Sequence, residues 1–218
     1  EVANEARSFD STTQAAAFYN DTAGFIKSID PNHLVGTGEE GWDEDASKYP
    51  NMGGHWSVAH SGEGTSFYLN TSQPNIDFGG IHLYPDYWGL STQQASAWIS
   101  DHAALAAQLH KPLFVGEFGS WVNEYQNWFH LFEQTPSIAG GAVWQIEPSS
   151  HIENSSFGIN PGAPTREQWL RNNVAAMNAK SPLALAPKSF LKTKGLVAGI
   201  TSQTFDFSWD TTTKTNGA

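Results

Sequence analysis

Pro112-Leu113-Phe114-Val115-Gly116-Glu117 is an apolar run that closes on a carboxylate. A short stretch with no polar face reads as a strand buried on both sides, which is the environment of a parallel sheet covered by helices. On its upstream side a helix is predicted from Thr92 to Leu109, with Ser91 and Gln94 spaced as a capping box. Before it, a strand from Ile76 to Leu83 runs into Tyr84-Pro85. Downstream come a helix near Asn123–Gln134, a strand over Gly141–Ile146 and a helix over Arg166–Ala179, capped by Thr165 with Gln168 in the box position. Toward the amino terminus, Val2-Ala3 reads as the end of a strand. Ala16, Tyr19, Ala23 and Ile26 recur on one face of a helix from Thr12 to Ile29 that stops at Asp30-Pro31. A short strand, His33–Gly36, precedes a long loop from Gly38 to about Asn75.

Strand centres roughly 30 to 45 residues apart, with helices between them, are the rhythm of parallel βα units. The fold class expected is therefore α/β, a (β/α)8 TIM barrel of which about the last five units are present in residues 1–181. Three units would precede Glu1. The site of such a barrel lies at the carboxyl-terminal rim of its strands. After Ser181 the character changes: residues 182–218 carry four Lys and two Asp, against a net charge of −11 for all 218 residues. Residues 182–196 read as a linker. Phe205, Phe207 and Trp209 alternate as one strand face would, so 197–218 reads either as the start of a fibronectin type III-like or other β-sandwich module, or as a tail packing on the barrel.

Composition narrows the chemistry. Twenty-two acidic against eleven basic residues repel a phosphate backbone, so nucleic acid is excluded as a partner. No apolar run is long enough to span a bilayer, so no membrane partner is expected. The absence of Cys rules out disulfides and thiol catalysis. Nine Trp must be buried or offered to a flat ligand, which brings sugars into view. No phosphate loop or Ser-His-Asp pattern is present. His55, His60 and Glu63 fit no common metal spacing, so no metal is expected. The acidic stretch from Glu39-Glu40 to Asp45 reads as a solvated loop. Asn20, Asn70 and Asn154 each begin an Asn-X-Ser/Thr sequon.

Two carboxylates close strands: Glu5, after Asn4, and Glu117. On barrel strands four and seven, a radius of about 7 Å places them about 13 Å apart at Cα and leaves roughly 5 Å between inward-pointing carboxylates. That is near the spacing of about 5–5.5 Å for retaining glycoside hydrolysis. His82 and Tyr84, two apart, face the same way on the strand next to that of Glu117. A Tyr84 hydroxyl donating to Glu117 would hold it ionised, as a nucleophile requires. Trp144, on the following strand, could lie flat beneath a sugar ring.

Asn4-Glu5, His82-Leu83-Tyr84-Pro85-Asp86, Val115-Gly116-Glu117-Phe118-Gly119 and Trp144, in that order, resemble the second half of a family 5 glycoside hydrolase. Thr37-Gly38-Glu39-Glu40-Gly41-Trp42 and Asp77 through Trp88 resemble its endo-β-1,4-mannanase branch, and the resemblance spans about residues 1–180. It implies a retaining endo-glycosidase acting on mannan, glucomannan or galactomannan, with Glu5 as acid/base and Glu117 as nucleophile. It implies that Asn4 binds the sugar 2-hydroxyl, that His82 and Tyr84 orient nucleophile and sugar, and that Trp144 is the stacking platform. Glu40, Trp42 and Trp88 would line the cleft. No cofactor is implied, and a secreted enzyme, monomeric when full length, is expected. The family's Arg on an early strand has no counterpart here. Two alternatives stand: a cellulase or other β-glucan hydrolase of the same family, and a catalytically incomplete fragment with at most weak carbohydrate binding.

Overall fold

A computed structural model describes residues 1–9, 11–59, 62–120, 124–146, 159 and 164–180. Contacts divide the chain into units Glu1–Ala184 and Leu185–Ala218, and every described residue lies in the first. The expected linker and β-type module fall outside the described residues.

Helix α1 (Thr12–Ile29) begins where Ser11 accepts a hydrogen bond from the Gln14 amide, and it buries Ala15, Ala16, Tyr19 and Ala23. The stretch expected to be a loop holds three short helices: a 3-10 turn at Ala46–Lys48, α2 (Trp56–Ala59) and α3 (Phe67–Ser72). Asp45 and Ser66 cap the first and last through their side chains, a local signal too brief to give a helical period. Strand β1 (Gly79–Leu83) leads into α4 (Pro85–Trp88), a single turn with Pro at its start, and then α5 (Thr92–Gln108) with the Ser91/Gln94 capping box fully formed. Strand β2 (Leu113–Phe118), α6 (Tyr125–Gln134), β3 (Ile138–Val143) and α7 (Pro164–Lys180) complete the order.

The strands pair in parallel in the order β1-β2-β3, with His82 opposite Glu117 and Leu113 opposite Ile138. Pairing with Leu113 draws β3 three residues earlier than the expected Gly141–Ile146, so Trp144 follows the strand rather than lying within it. Val2-Ala3 and His33–Gly36 form no regular strand. They continue the sheet as extended segments: the Val2 amide bonds Gly36 O, the Asp77 amide bonds Val35 O and the His82 amide bonds Glu40 O, with a single bridge between Gly36 and Phe78. Gly38 and Gly41, at φ +76° and +99°, break the repeating geometry there. A Cβ on Gly38 would stand 2.4 Å from the Ala3 carbonyl oxygen, so the first segment can approach only a glycine. Helix α7 starts at Pro164, which suits a first helical position and places Thr165 inside the helix rather than at its cap.

The core lies between the sheet and helices α5 and α6. Ile81, Leu83, Leu113, Val115, Phe118 and Ile138 from the strands meet Trp98, Trp128 and Phe132 from the helices. Two lysines latch elements through their ammonium groups. Lys111 donates to the carbonyls of Thr71 and Gln73, and Lys180 to those of Phe132, Thr135 and Ile138. No helix among the described residues is long and apolar enough to cross a membrane.

Candidate active site

Strand ends and the loops that follow them converge on one cleft of about 490 Å³, lined by Asn4, Glu5, Arg7, Glu40, Trp42, Tyr84, Tyr87, Trp88, Glu117 and Trp144. Glu5 sits where the first segment ends, in the left-handed region at φ +50°, with its amide bonded to Gly38 O at 2.8 Å. A non-glycine residue in that region is strained, and such strain clusters at functional sites. His82, buried at the end of β1, presents Nδ1 to Glu5 Oε1 at 2.8 Å and lies 3.7 Å from Glu117 Oε2. The Trp98 indole donates to the His82 carbonyl at 2.9 Å, fixing the strand beneath the site from α5. The Tyr84 hydroxyl donates to Glu117 Oε2 at 2.6 Å.

Ligand atoms of Glu5, His82 and Glu117 all lie within 4.8 Å of one another. Among the described residues this is the one cluster whose spacing could hold a metal ion. His82 Nδ1 and Glu117 Oε2 are already engaged by Glu5 and Tyr84, so the donor set reads as a hydrogen-bonded carboxylate pair. Its electrostatics differ from group to group. The His82 hydrogen bond holds the Glu5 carboxyl below its usual range, with the nearby charges adding to that and burial opposing it. Burial, then the adjacent Glu117 carboxylate, pushes the Tyr84 phenol far up, so it stays a donor.

All nine residues singled out by sequence occupy this region, His82 just beneath the cleft floor and the other eight on its lining. Two lining residues were missed, Arg7 and Tyr87. Arg7 follows Glu5 by two positions, just past the left-handed turn at Glu5. Its Nη2 and Nε bond Glu40 Oε1, its Nη1 bonds Glu63 Oε2 at 3.2 Å, and its guanidinium lies 4.3 Å over the Trp42 ring. Glu40 Oε2 and Trp42 Nε1 are buried at the cleft wall with no hydrogen-bond partner.

The acidic stretch is solvated only in part: Glu44 is exposed and Asp45 half-exposed. Glu39, Glu40 and Asp43 are all buried. Asn70 and Thr65 hold Glu39, Arg7 holds Glu40, and Tyr49 and Ser66 hold Asp43. Sequon residue Asn70 is thereby fully buried. His60 and Asn154 lie outside the described residues.

Residues 1–135 match the model of the GH family 5 beta-mannosidase-like family. The chain is 33% identical over 192 residues to mannan endo-1,4-beta-mannosidase A of Aspergillus aculeatus, covering 83% of this chain and 48% of that protein. It thus spans about half the length of the curated relatives it matches. The solved endo-1,4-beta-mannanase of Rhizomucor miehei superposes with a TM-score of 0.71 at 31% identity, over 82% of this chain and 53% of that one. The endo-beta-1,4-mannanase of Thermotoga petrophila gives the same TM-score at 27% identity, over 81% and 43%. The described sheet and helices are accordingly part of a (β/α)8 barrel, and the chain belongs to the β-mannosidase-like branch of glycoside hydrolase family 5.

Proposed function

We propose that the protein is a retaining endo-glycosidase that hydrolyses β-1,4-mannosidic bonds in mannans. The observation that carries this reading is the pair Glu5 and Glu117, whose facing oxygens lie within 4.8 Å across an aromatic cleft. A separation no greater than 4.8 Å leaves no room for a water between carboxylate and sugar, so one carboxylate must itself attack. Glu117 forms a bond to the anomeric carbon as the bond to the glycosidic oxygen breaks, and Glu5 gives its proton to that oxygen. Glu5 then takes a proton from water as the water displaces Glu117, so the product keeps the configuration of the substrate. Tyr84, donating to Glu117, holds the nucleophile in place. Trp144 offers a half-exposed ring on the same cleft as Glu117. The names of the relatives support mannan as the polymer. A polymer too large to enter a cell implies a secreted enzyme.

Reducing-sugar release from β-mannan and from carboxymethyl-cellulose, with Glu117→Ala as control, tests the reading. Release from mannan is expected, with the first product appearing as the β-anomer in NMR and activity lost by about 10³-fold or more in the variant. Release that survives the substitution would remove Glu117 from its role. Preference for the cellulose derivative would replace mannan by glucan.

A further inference from the structure

Trp56 opens α2 on the loop between the acidic segment and α3. A lone surface hydrophobe needs no explanation. What separates Trp56 from that case is how firmly it is held. Its indole Nε1 donates to the Trp88 carbonyl at 3.2 Å. Its ring meets Trp42 edge-on, with centroids 5.4 Å apart at 69°, and lies beside His55 at 5.5 Å and 42°. Despite these contacts Trp56 remains 41% exposed. Trp42 and Trp88 line the cleft, and Trp56 touches both, the ring of the first and the carbonyl of the second. A side chain with its orientation fixed and a large apolar face left in water is prepared for a flat apolar partner, since little conformational freedom remains to be lost on contact.

We infer that Trp56 is a stacking platform for a pyranose ring of a β-linked polysaccharide that extends beyond the cleft. The inference rests on the glycosidase reading above, in which Glu5 protonates the leaving oxygen. Trp56 is tied to both catalytic groups: contacts run from Arg7, two residues beyond Glu5, through Trp42, and from Tyr84, which donates to Glu117, through Trp88. A β-linked pyranose presents axial C–H groups on its face and hydroxyls at its edge, so the exposed indole matches the face and water keeps the edge.

Calorimetry in a Glu117→Gln background, with mannobiose, mannohexaose and cellohexaose as probes, tests this. Trp56→Ala is expected to lower the hexaose-to-biose affinity ratio about fivefold, the size of one aromatic contact, and Trp56→Phe to restore most of it. A ratio unchanged in Trp56→Ala overturns the inference while leaving the glycosidase reading intact. An equal loss for biose and hexaose, not rescued by Phe, overturns it in favour of a structural role. If the Glu117→Gln protein binds none of the three sugars, the glycosidase reading falls and this inference with it.

Discussion

Glu5 faces two opposed demands. As the acid of the proposed mechanism it would have to carry a proton, yet His82 donates to its ionised form at 2.8 Å and lowers its pKa. The alkaline limb of kcat/KM reports loss of that proton in the free protein. Removing the donor therefore moves the limb to higher pH: His82→Ala is expected to do so in a pH–rate profile, and a limb that stayed in place would show that the hydrogen bond does not govern Glu5. Tyr84→Phe removes a hydrogen bond to a charged group, of the kind that contributes about 1.5–3 kcal/mol, so kcat/KM should fall about ten- to hundredfold with the fold unchanged by circular dichroism. The convergence of Glu117, His82 and Tyr84 was legible because a carboxylate ending an apolar run, and two polar residues two apart on a strand, are local patterns, whereas Glu5 follows only Val2-Ala3 and Asn4. Arg7 carries no such local pattern, and its meaning depends on Glu40, 33 positions away. Glu39 and Asp43 read as solvated because nothing near them in sequence says otherwise; Asn70, Tyr49 and Ser66 reach them only after folding.

At the scale of elements, helices with their own caps were legible nearly to the residue, whereas strands were displaced wherever a partner sets their limits. Helix α5 shows the first case. The Ser91 side chain accepts from the Gln94 amide and the Gln94 side chain accepts from the Ser91 amide, so Ser91→Ala should cost about 1 kcal/mol and lower Tm by about 2–4 °C. β3 shows the second: its own residues, two glycines among them, carry no strong strand signal, and its start is chosen by Leu113 and by Lys180. The Lys180 ammonium gathers carbonyls from the end of α6, its following turn and the first residue of β3, which joins α7 to both. Burial lowers the pKa of this ammonium. Lys180→Met keeps the aliphatic stem but leaves those carbonyls without their cation. The expected loss is about 1–3 kcal/mol in urea unfolding, with faster amide exchange in α7 than in α5. Equal acceleration in both helices would mean that Lys180 acts through the whole core instead of this junction.

Across the whole molecule, the acidic excess is divided between solvent and interior, and the interior share makes stability depend on pH. Glu39 is fully buried, and loss of hydration outweighs its bonds from Asn70 and Thr65, pushing its pKa up from an ordinary 4.5 to about 8. Below about pH 4.5 the carboxyl is protonated in both the folded and unfolded states. Between 4.5 and about 8 the unfolded chain releases the proton while the folded one keeps it, so the folded state binds more protons and stability falls as pH rises. Above about 8 both states are ionised and the slope vanishes. His102 and His55 act the other way: burial lowers both pKa values, so their share of stability rises with pH as the unfolded imidazoles lose their protons. The wild-type curve alone would blend these slopes, so Glu39 must be isolated by difference. Glu39→Gln keeps the shape and the bond from Asn70 but cannot ionise. Urea unfolding of both proteins from pH 4 to 9 should show the stability of wild type relative to the variant declining between about 4.5 and 8, by an amount on the order of a few kcal/mol, and level beyond. A difference that stayed constant over that window would mean that the folded protein holds Glu39 as a carboxylate, so that Asn70, Thr65 and their neighbours solvate the charge as well as water does.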